Sequence, residues 1–290
     1  MPETSESAPL PPLVGGRYRV QSLLGRGATS TVHRAHDEHR ERPVALKVMH
    51  RGPAADREMR AARFTRQAEL ASRVRHSGLV EHYDAATTGD DTYVVTELVV
   101  GESLAARVGR DGAIDLSVAT RLLRPVMSAI AALHGAGIVH RDVKPENLLI
   151  SAVCDAPQRS VLIDFGLARA VGDRSDRSPI RQLVGTPFYM SPEQASGMPD
   201  LSPACDVWAM GVVLYRVLSG DLPFTGRSPA ELLDAIIGGE HDHLGARAPW
   251  LPRSVTEWVE GALVADPQRR YRDMIVMEQR APLEPTRHAS

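Results

Sequence analysis

Three short stretches of this chain carry residue types that could do chemistry. His140-Arg141-Asp142-Val143-Lys144-Pro145-Glu146-Asn147 packs an acid, a base, an amide and a proline into one turn, and Leu148-Leu149-Ile150 follows it. A stretch built only for folding rarely sets so many polar groups between apolar runs. Asp164-Phe165-Gly166 comes directly after a second apolar run, Val161-Leu162-Ile163. Gly25-Arg26-Gly27-Ala28-Thr29-Ser30-Thr31-Val32 follows the run Val20 to Leu24, and glycines let backbone amides approach phosphates with no side chain between. Alone, that glycine motif reads equally well as a hairpin turn.

The elements that must position these residues fall into two regions. Tyr18 to Val100 reads mostly as strand, and in Val44-Ala45-Leu46-Lys47-Val48-Met49 alternation puts Ala45 and Lys47 on one face. One helix interrupts the strands, with Phe64, Gln67, Ala68, Ala71 and Val74 at helical spacing. Gly101-Glu102-Ser103 reads as a hinge. Helices dominate beyond it. Leu116 to His134 is long and apolar, Gly135 lies near its end, and Pro125 is expected to kink or break it. Ala204 to Leu218 carries Val207, Met210, Gly211, Leu214, Val217 and Leu218 on one stripe. Residues 1–13, rich in Pro, Ser and Glu, read as a disordered tail, and Arg280 to Ser290 as a loose one.

Composition narrows the classes. The chain has 290 residues, 43% hydrophobic and 24% charged, enough for one large domain or two packed lobes. A formal net charge of −2 gives no bulk attraction to nucleic acid or anionic lipid. Cys154 and Cys205 lack the spacing of a zinc site or disulfide framework, which suits a reducing cytoplasm. No apolar run reads as a membrane span and no signal peptide is evident. His241-Asp242-His243 reads as a solvated loop, and the other histidines outside the polar turn carry no signal.

The order and spacing of these motifs resemble a bacterial serine/threonine protein kinase of the eukaryotic-like (Hanks) type. The resemblance runs from roughly Tyr18 to Tyr271. It implies an α+β, two-lobed fold over 14–276, with a β-rich lobe of one helix at 14–100, a larger helical lobe at 101–276, and a tail at 277–290. It further implies ATP and Mg²⁺ (or Mn²⁺) as the nucleotide and metal, a protein substrate bearing Ser or Thr, a cytoplasmic location, and room for a homodimer. Asp142 becomes the base that takes or orients the substrate hydroxyl, and Lys144 neutralises charge on the moving phosphoryl group. Asn147 and Asp164 become the metal ligands, and Thr186 bridges Asp142 and Lys144. Leu24, Gly25, Arg26, Gly27, Ala28, Thr29, Ser30, Val32, Ala45, Lys47, Thr96, Glu97, Val99 and Leu149 join Asp164 around the nucleotide. Among these, Lys47 meets the α- and β-phosphates, Val32 and Ala45 pack on adenine, Thr96 takes the gatekeeper position, and backbone groups of Glu97 and Val99 bond the adenine edge.

By the same resemblance, His140 and Phe165 are packing residues and Asp206 holds the backbone of the polar turn. Glu193 pairs with Arg270, and Arg141 awaits a phosphate on Ser178 or Ser175. Two positions depart from the pattern. Ser30 stands where the family has a third glycine, and Gln67 where it has the glutamate that pairs with the lysine. Glu69, two residues on, is turned away by about 200°. These departures favour the rival expectation, a pseudokinase or nucleotide-binding scaffold. The presence of Lys47, Asp142, Lys144, Asn147 and Asp164 opposes it.

Overall fold

The computed structural model describes residues 13–27, 30–50, 57–88, 91–152, 158–165, 168–171 and 187–282, excepting the side chains of 57–63 and of Gln67. The chain divides into two compact units, Met1–Arg75 with Val80–Val100, and His76–Leu79 with Gly101–Ser290.

The first unit is built on strands β1 (Leu13–Val14), β2 (Tyr18–Arg26), β3 (Ser30–Asp37), β4 (Arg42–Met49), β5 (His82–Thr88) and β6 (Asp91–Glu97), with helix α1 (Arg57–Ser72) between β4 and β5. They form one antiparallel sheet in the order β1-β2-β3-β4-β6-β5. Alternation in β4 buries Val44, Leu46 and Val48 and leaves Ala45 and Lys47 together on the other, half-buried face. The buried face joins Val14, Tyr18, Ala35, Tyr93 and Val95 in a small core. Helix α1 begins seven residues before Phe64 and ends before Val74, which therefore falls outside it. Among its described side chains, Ala68, Leu70 and Ala71 are buried.

The second unit contains β7 (Gly101–Ser103), α2 (Leu104–Asp111), α3 (Leu116–Gly135), β8 (Ile138–Val139), a 3-10 turn (Pro145–Asn147), β9 (Leu148–Ser151), β10 (Ser160–Leu162), β11 (Arg169–Ala170), α4 (Pro192–Ala195), α5 (Ala204–Ser219), α6 (Pro229–Gly238), α7 (Leu244–Arg247), α8 (Arg253–Ala262) and α9 (Met274–Gln279). Gly101-Glu102-Ser103, expected as a hinge, is instead a strand paired with β9. A Cβ on Gly101 would lie 1.9 Å from the Ile150 carbonyl oxygen, so the pairing depends on glycine. Helix α5 is the core of the unit: 14 of its residues are buried, and Trp208 stacks on Phe224 at 5.1 Å.

Pro125 does not break α3, which runs on to Gly135. The missing N–H forfeits one backbone bond, but Leu122, Leu123, Val126, Met127, Ala129 and Ile130 around it are all buried. Packing of that face outweighs the local defect. By length and composition α3 could cross a membrane, yet half of that apolar window is buried inside the unit, as in a core helix. Helix α9 continues past the expected domain end at 276, with Met277 fully buried. Residues 283–290 of the expected tail, and 1–12 at the other end, lie outside the described residues.

Candidate active site

Asp206, in the first turn of α5, organises the polar turn. Its Oδ2 accepts the His140 backbone N–H and its Oδ1 the Arg141 N–H, both at 2.7 Å. The two bonds hold Arg141 at φ 69°, a left-handed conformation that costs a non-glycine residue about 1–3 kcal/mol. His134 Nε2 lies 3.0 Å from Asp206 Oδ2, while His134 Nδ1 accepts the Met274 N–H at 3.0 Å. With Nδ1 accepting, Nε2 carries the proton and donates to Asp206. Burial alone would raise the Asp206 pKa, but the hydrogen bonds from His134 and the His140 N–H hold it below the usual carboxylate value. Sequence reasoning gave His134 no role, because its partners lie 72 and 140 residues away.

Beyond Arg141, the functional groups converge on Asp142. Lys144 Nζ donates to both Asp142 carboxylate oxygens at 2.8 Å. Asn147 Nδ2 donates to the Asp142 carbonyl and to Oδ2, at 2.9 Å each. The Asp142 side chain keeps 24% of its surface exposed, so an incoming hydroxyl can reach it. Because Nδ2 makes both of these bonds, Asn147 Oδ1 remains as the acceptor of that amide. His140 is fully buried, edge-on to Phe165 at 5.0 Å. Burial lowers its pKa, so it is a neutral packing group there.

Strand β10 brings the second loop alongside. Leu162 pairs with Leu148, and the Ile163 N–H donates to the Asn147 carbonyl at 2.8 Å. Asp164 follows at once, half-buried and at φ 65°. Asn147 and Asp164 thus sit on neighbouring chain segments. Among the described residues no group of three His, Cys, Asp or Glu gathers that could hold a metal alone. An amide and a carboxylate are hard oxygen donors, and they fit Mg²⁺, which usually takes one or two protein carboxylates and fills its shell with phosphate and water oxygens.

In the first unit the glycine motif is a hairpin. Gly25 pairs with Val32 and Arg26 with Thr31, and the Gly27 N–H closes onto the Ser30 carbonyl at 2.8 Å. Leu24, Gly25, Arg26 and Gly27 are exposed, Ser30 is buried and Val32 half-buried; Ala28 and Thr29 lie outside the described residues. Ala45 and Lys47 on β4 pair with Thr96 and Val94 on β6. Glu97 donates its N–H to the Glu81 carbonyl at 2.8 Å, and half-buried Val99 follows the strand. Leu149, on β9 in the second unit, is half-buried. Glu69 is exposed on α1, while the Gln67 side chain lies outside the described residues.

Thr186, Ser175, Ser178 and Gly166 likewise lie outside them. The chain is described again from Pro187. Glu193 on α4 and Arg270 form a bidentate buried pair at 2.9 and 3.1 Å. Next to it, Ser191 and Gln194 make a reciprocal capping box, and Gln194 Nε2 donates to the Arg141 carbonyl at 3.1 Å. Gln194 is therefore a further residue that holds the polar turn. Its sequence signal was the Ser-x-x-Gln spacing.

Residues 18–280 match the family model described as "Protein kinase domain". The chain is 38% identical over 266 residues to the serine/threonine-protein kinase PknL of Mycobacterium tuberculosis, covering 91% of this chain and 65% of that protein. It is 40% identical over 245 residues to the serine/threonine-protein kinase pkn2 of Myxococcus xanthus, covering 84% and 29%. With PknA of M. tuberculosis the identity is 37% over 268 residues, covering 89% and 59%. The chain thus spans under two thirds of the length of these curated relatives.

Proposed function

Because the chain belongs to the protein kinase domain family, we propose that it transfers the γ-phosphoryl group of ATP to serine and threonine hydroxyls of proteins. The observation that carries this reading is the held carboxylate of Asp142, gripped by Lys144 and Asn147 and still open to solvent. In the proposed reaction Asp142 orients the substrate hydroxyl and takes its proton. Lys144 is already within bonding distance of that carboxylate and turns its charge toward the moving phosphoryl oxygens; Thr186 bridges the two. Asn147 through Oδ1 and Asp164 through its carboxylate hold the metal, Mg²⁺ in preference to Mn²⁺. When bound, the metal supplies positive charge to the phosphates.

Lys47 holds the α- and β-phosphates, and the backbone from Gly25 to Ser30 covers them. Leu24, Val32, Ala45 and Leu149 pack on adenine beside Thr96, with Glu97 and Val99 offering backbone bonds. The hydroxyl preference is supported by Lys144-Pro145-Glu146-Asn147, since tyrosine kinases usually carry an arginine and alanine here. A cytoplasmic site of action belongs to the same reading, with α3 serving as a core helix.

Incubation with labelled ATP and Mg²⁺, with and without a generic acceptor protein, tests the proposal. Phosphate on serine or threonine is expected. Nucleotide binding with no transfer would replace the reading by a pseudokinase scaffold, and label on a small molecule alone by a small-molecule phosphotransferase.

A further inference from the structure

A cavity of about 460 Å³ opens in the second unit among Gly261, Arg269, Arg270, Tyr271, Arg272, Val276 and Arg280. None of these residues belongs to the active site proposed above except Arg270, whose guanidinium is turned inward onto Glu193. Four arginines around one cavity raise the question of what balances them. Arg270 is neutralised by its bidentate bond to Glu193. Arg272 Nε lies 3.1 Å from Asp273. Arg269 and Arg280 have no carboxylate within ion-pair distance among the described residues. Among the described residues the walls therefore hold two uncompensated guanidinium groups, on side chains that are exposed.

The frame around this charge is tied together by hydrogen bonds. Tyr271 Oη donates to the Trp258 carbonyl at 3.2 Å, and Trp258 Nε1 donates to the Met277 carbonyl at 2.9 Å, so the cavity's aromatic wall and α9 are both fastened to α8. A Cβ on Gly261 would lie 2.4 Å from Tyr271 Oη, so only glycine lets the ring take this position. Arg280 lies over the Tyr271 ring, 5.6 Å from its centroid. Both residues line the cavity, so the guanidinium and the ring face one site.

We infer that this cavity binds a phosphate monoester. A dianion matches two unbalanced guanidinium groups, and tetrahedral oxyanions take bidentate bonds from arginine forks. A carboxylate would balance only one. The volume lies in the roughly 300–1,000 Å³ range of small-ligand pockets, so there is room for the ester's organic part against Tyr271. Phosphate chemistry of this kind has two sources, a free small phosphate or a phosphorylated side chain, and the binding experiment separates them.

The test is calorimetric titration of the whole chain with inorganic phosphate, with a phosphothreonine tetrapeptide, and with the same peptide bearing glutamate. At least one phosphate probe is expected to bind with one-to-one stoichiometry, more tightly than the glutamate peptide. If the peptide binds more tightly than inorganic phosphate, the source is phosphoprotein; equal affinity points to free phosphate. Arg269→Gln and Arg280→Gln should each weaken the bound probe about tenfold, the loss of one charge-assisted bond. Both side chains are exposed, so the variants should melt near the wild-type temperature; if one does not, the other carries the test. Failure of both phosphate probes to bind, or binding that neither variant weakens, overturns the inference.

Discussion

Asp142 is held by two donor groups: the Lys144 ammonium reaches both of its oxygens, and Asn147 grips Oδ2 and the carbonyl. That arrangement does two things at once. It fixes the direction of the carboxylate, and it places the amide of Asn147 and the cation of Lys144 around it. Asp142→Asn removes the basic oxygen and sets an amide against donors, while changing little in volume. General-base effects are typically worth ~10²–10⁴ in rate. Asp142→Asn is therefore expected to bind ATP as the wild type does and to transfer phosphate ~10²–10⁴-fold more slowly, measured as single-turnover transfer beside nucleotide titration. Transfer at the wild-type rate would remove Asp142 from the base role.

Among the elements, the loop between α6 and α7 is solvated at Asp242 and His243, as expected, but not at His241. His241 is not solvated: its side chain keeps 8% exposure, packs edge-on to Tyr215 of α5, and lies 5.0 Å from the ring of Phe224. Nε2 is 2.9 Å from Glu260 of α8, and Nδ1 is 3.2 Å from the Gly239 carbonyl. Acceptors on both ring nitrogens favour the imidazolium. Burial alone would lower the His241 pKa, but the Glu260 bond and charge raise it overall. A folded pKa above the unfolded value means the pair's stabilisation is complete below about pH 6.5 and fades as pH rises through the folded pKa. Such a pair is worth ~1 kcal/mol, or about 2–4 °C. The melting-temperature gap between wild type and Glu260→Gln, which keeps an acceptor for the Leu244 N–H, should be wider at pH 5.5 than at pH 8.5. A gap independent of pH would show that His241 is uncharged there. This loop also shows why part of the structure was hidden in the sequence. Local alternation made the Lys47 face of β4 legible, and motif spacing made the Asp142 and Asp164 loops legible. The Asp206 bonds and the Glu193–Arg270 pair were also expected, from the family resemblance. His134 and His241 owe their roles to partners brought by other elements, and neither residue has a local pattern to announce it. Pro125 shows the converse: its local cost is real, yet tertiary burial keeps α3 from breaking there.

At the scale of the whole molecule, one side chain ties the helical unit together. Arg270 follows α8, and its guanidinium is fully buried. It bonds Glu193 on α4 and the carbonyls of Ala204 at the start of α5 and of Val264 and Ala265 after α8, all between 2.7 and 3.1 Å. The Trp208 ring lies 4.9 Å below it. Every donor of the guanidinium is used, so the usual desolvation cost of a buried ion is offset by bonds in good geometry. The arrangement is vulnerable to losing only one partner. Removing Arg270 strands the buried Glu193 carboxylate, along with the Ala204 carbonyl and two half-buried ones, and breaking such a pair costs about 3–5 kcal/mol. Arg270→Met should therefore lower the denaturation midpoint sharply, by about 6–20 °C at the 2–4 °C per kcal/mol expected of a chain this size. Glu193→Gln leaves a neutral acceptor and should cost less. Combining Arg270→Met with Glu193→Leu removes the stranded charge, so the double variant should be more stable than Arg270→Met alone, read from thermal melts of the wild type, Arg270→Met, Glu193→Leu and the double. If the two losses simply add, Glu193 and Arg270 act independently and the helices are held by packing alone.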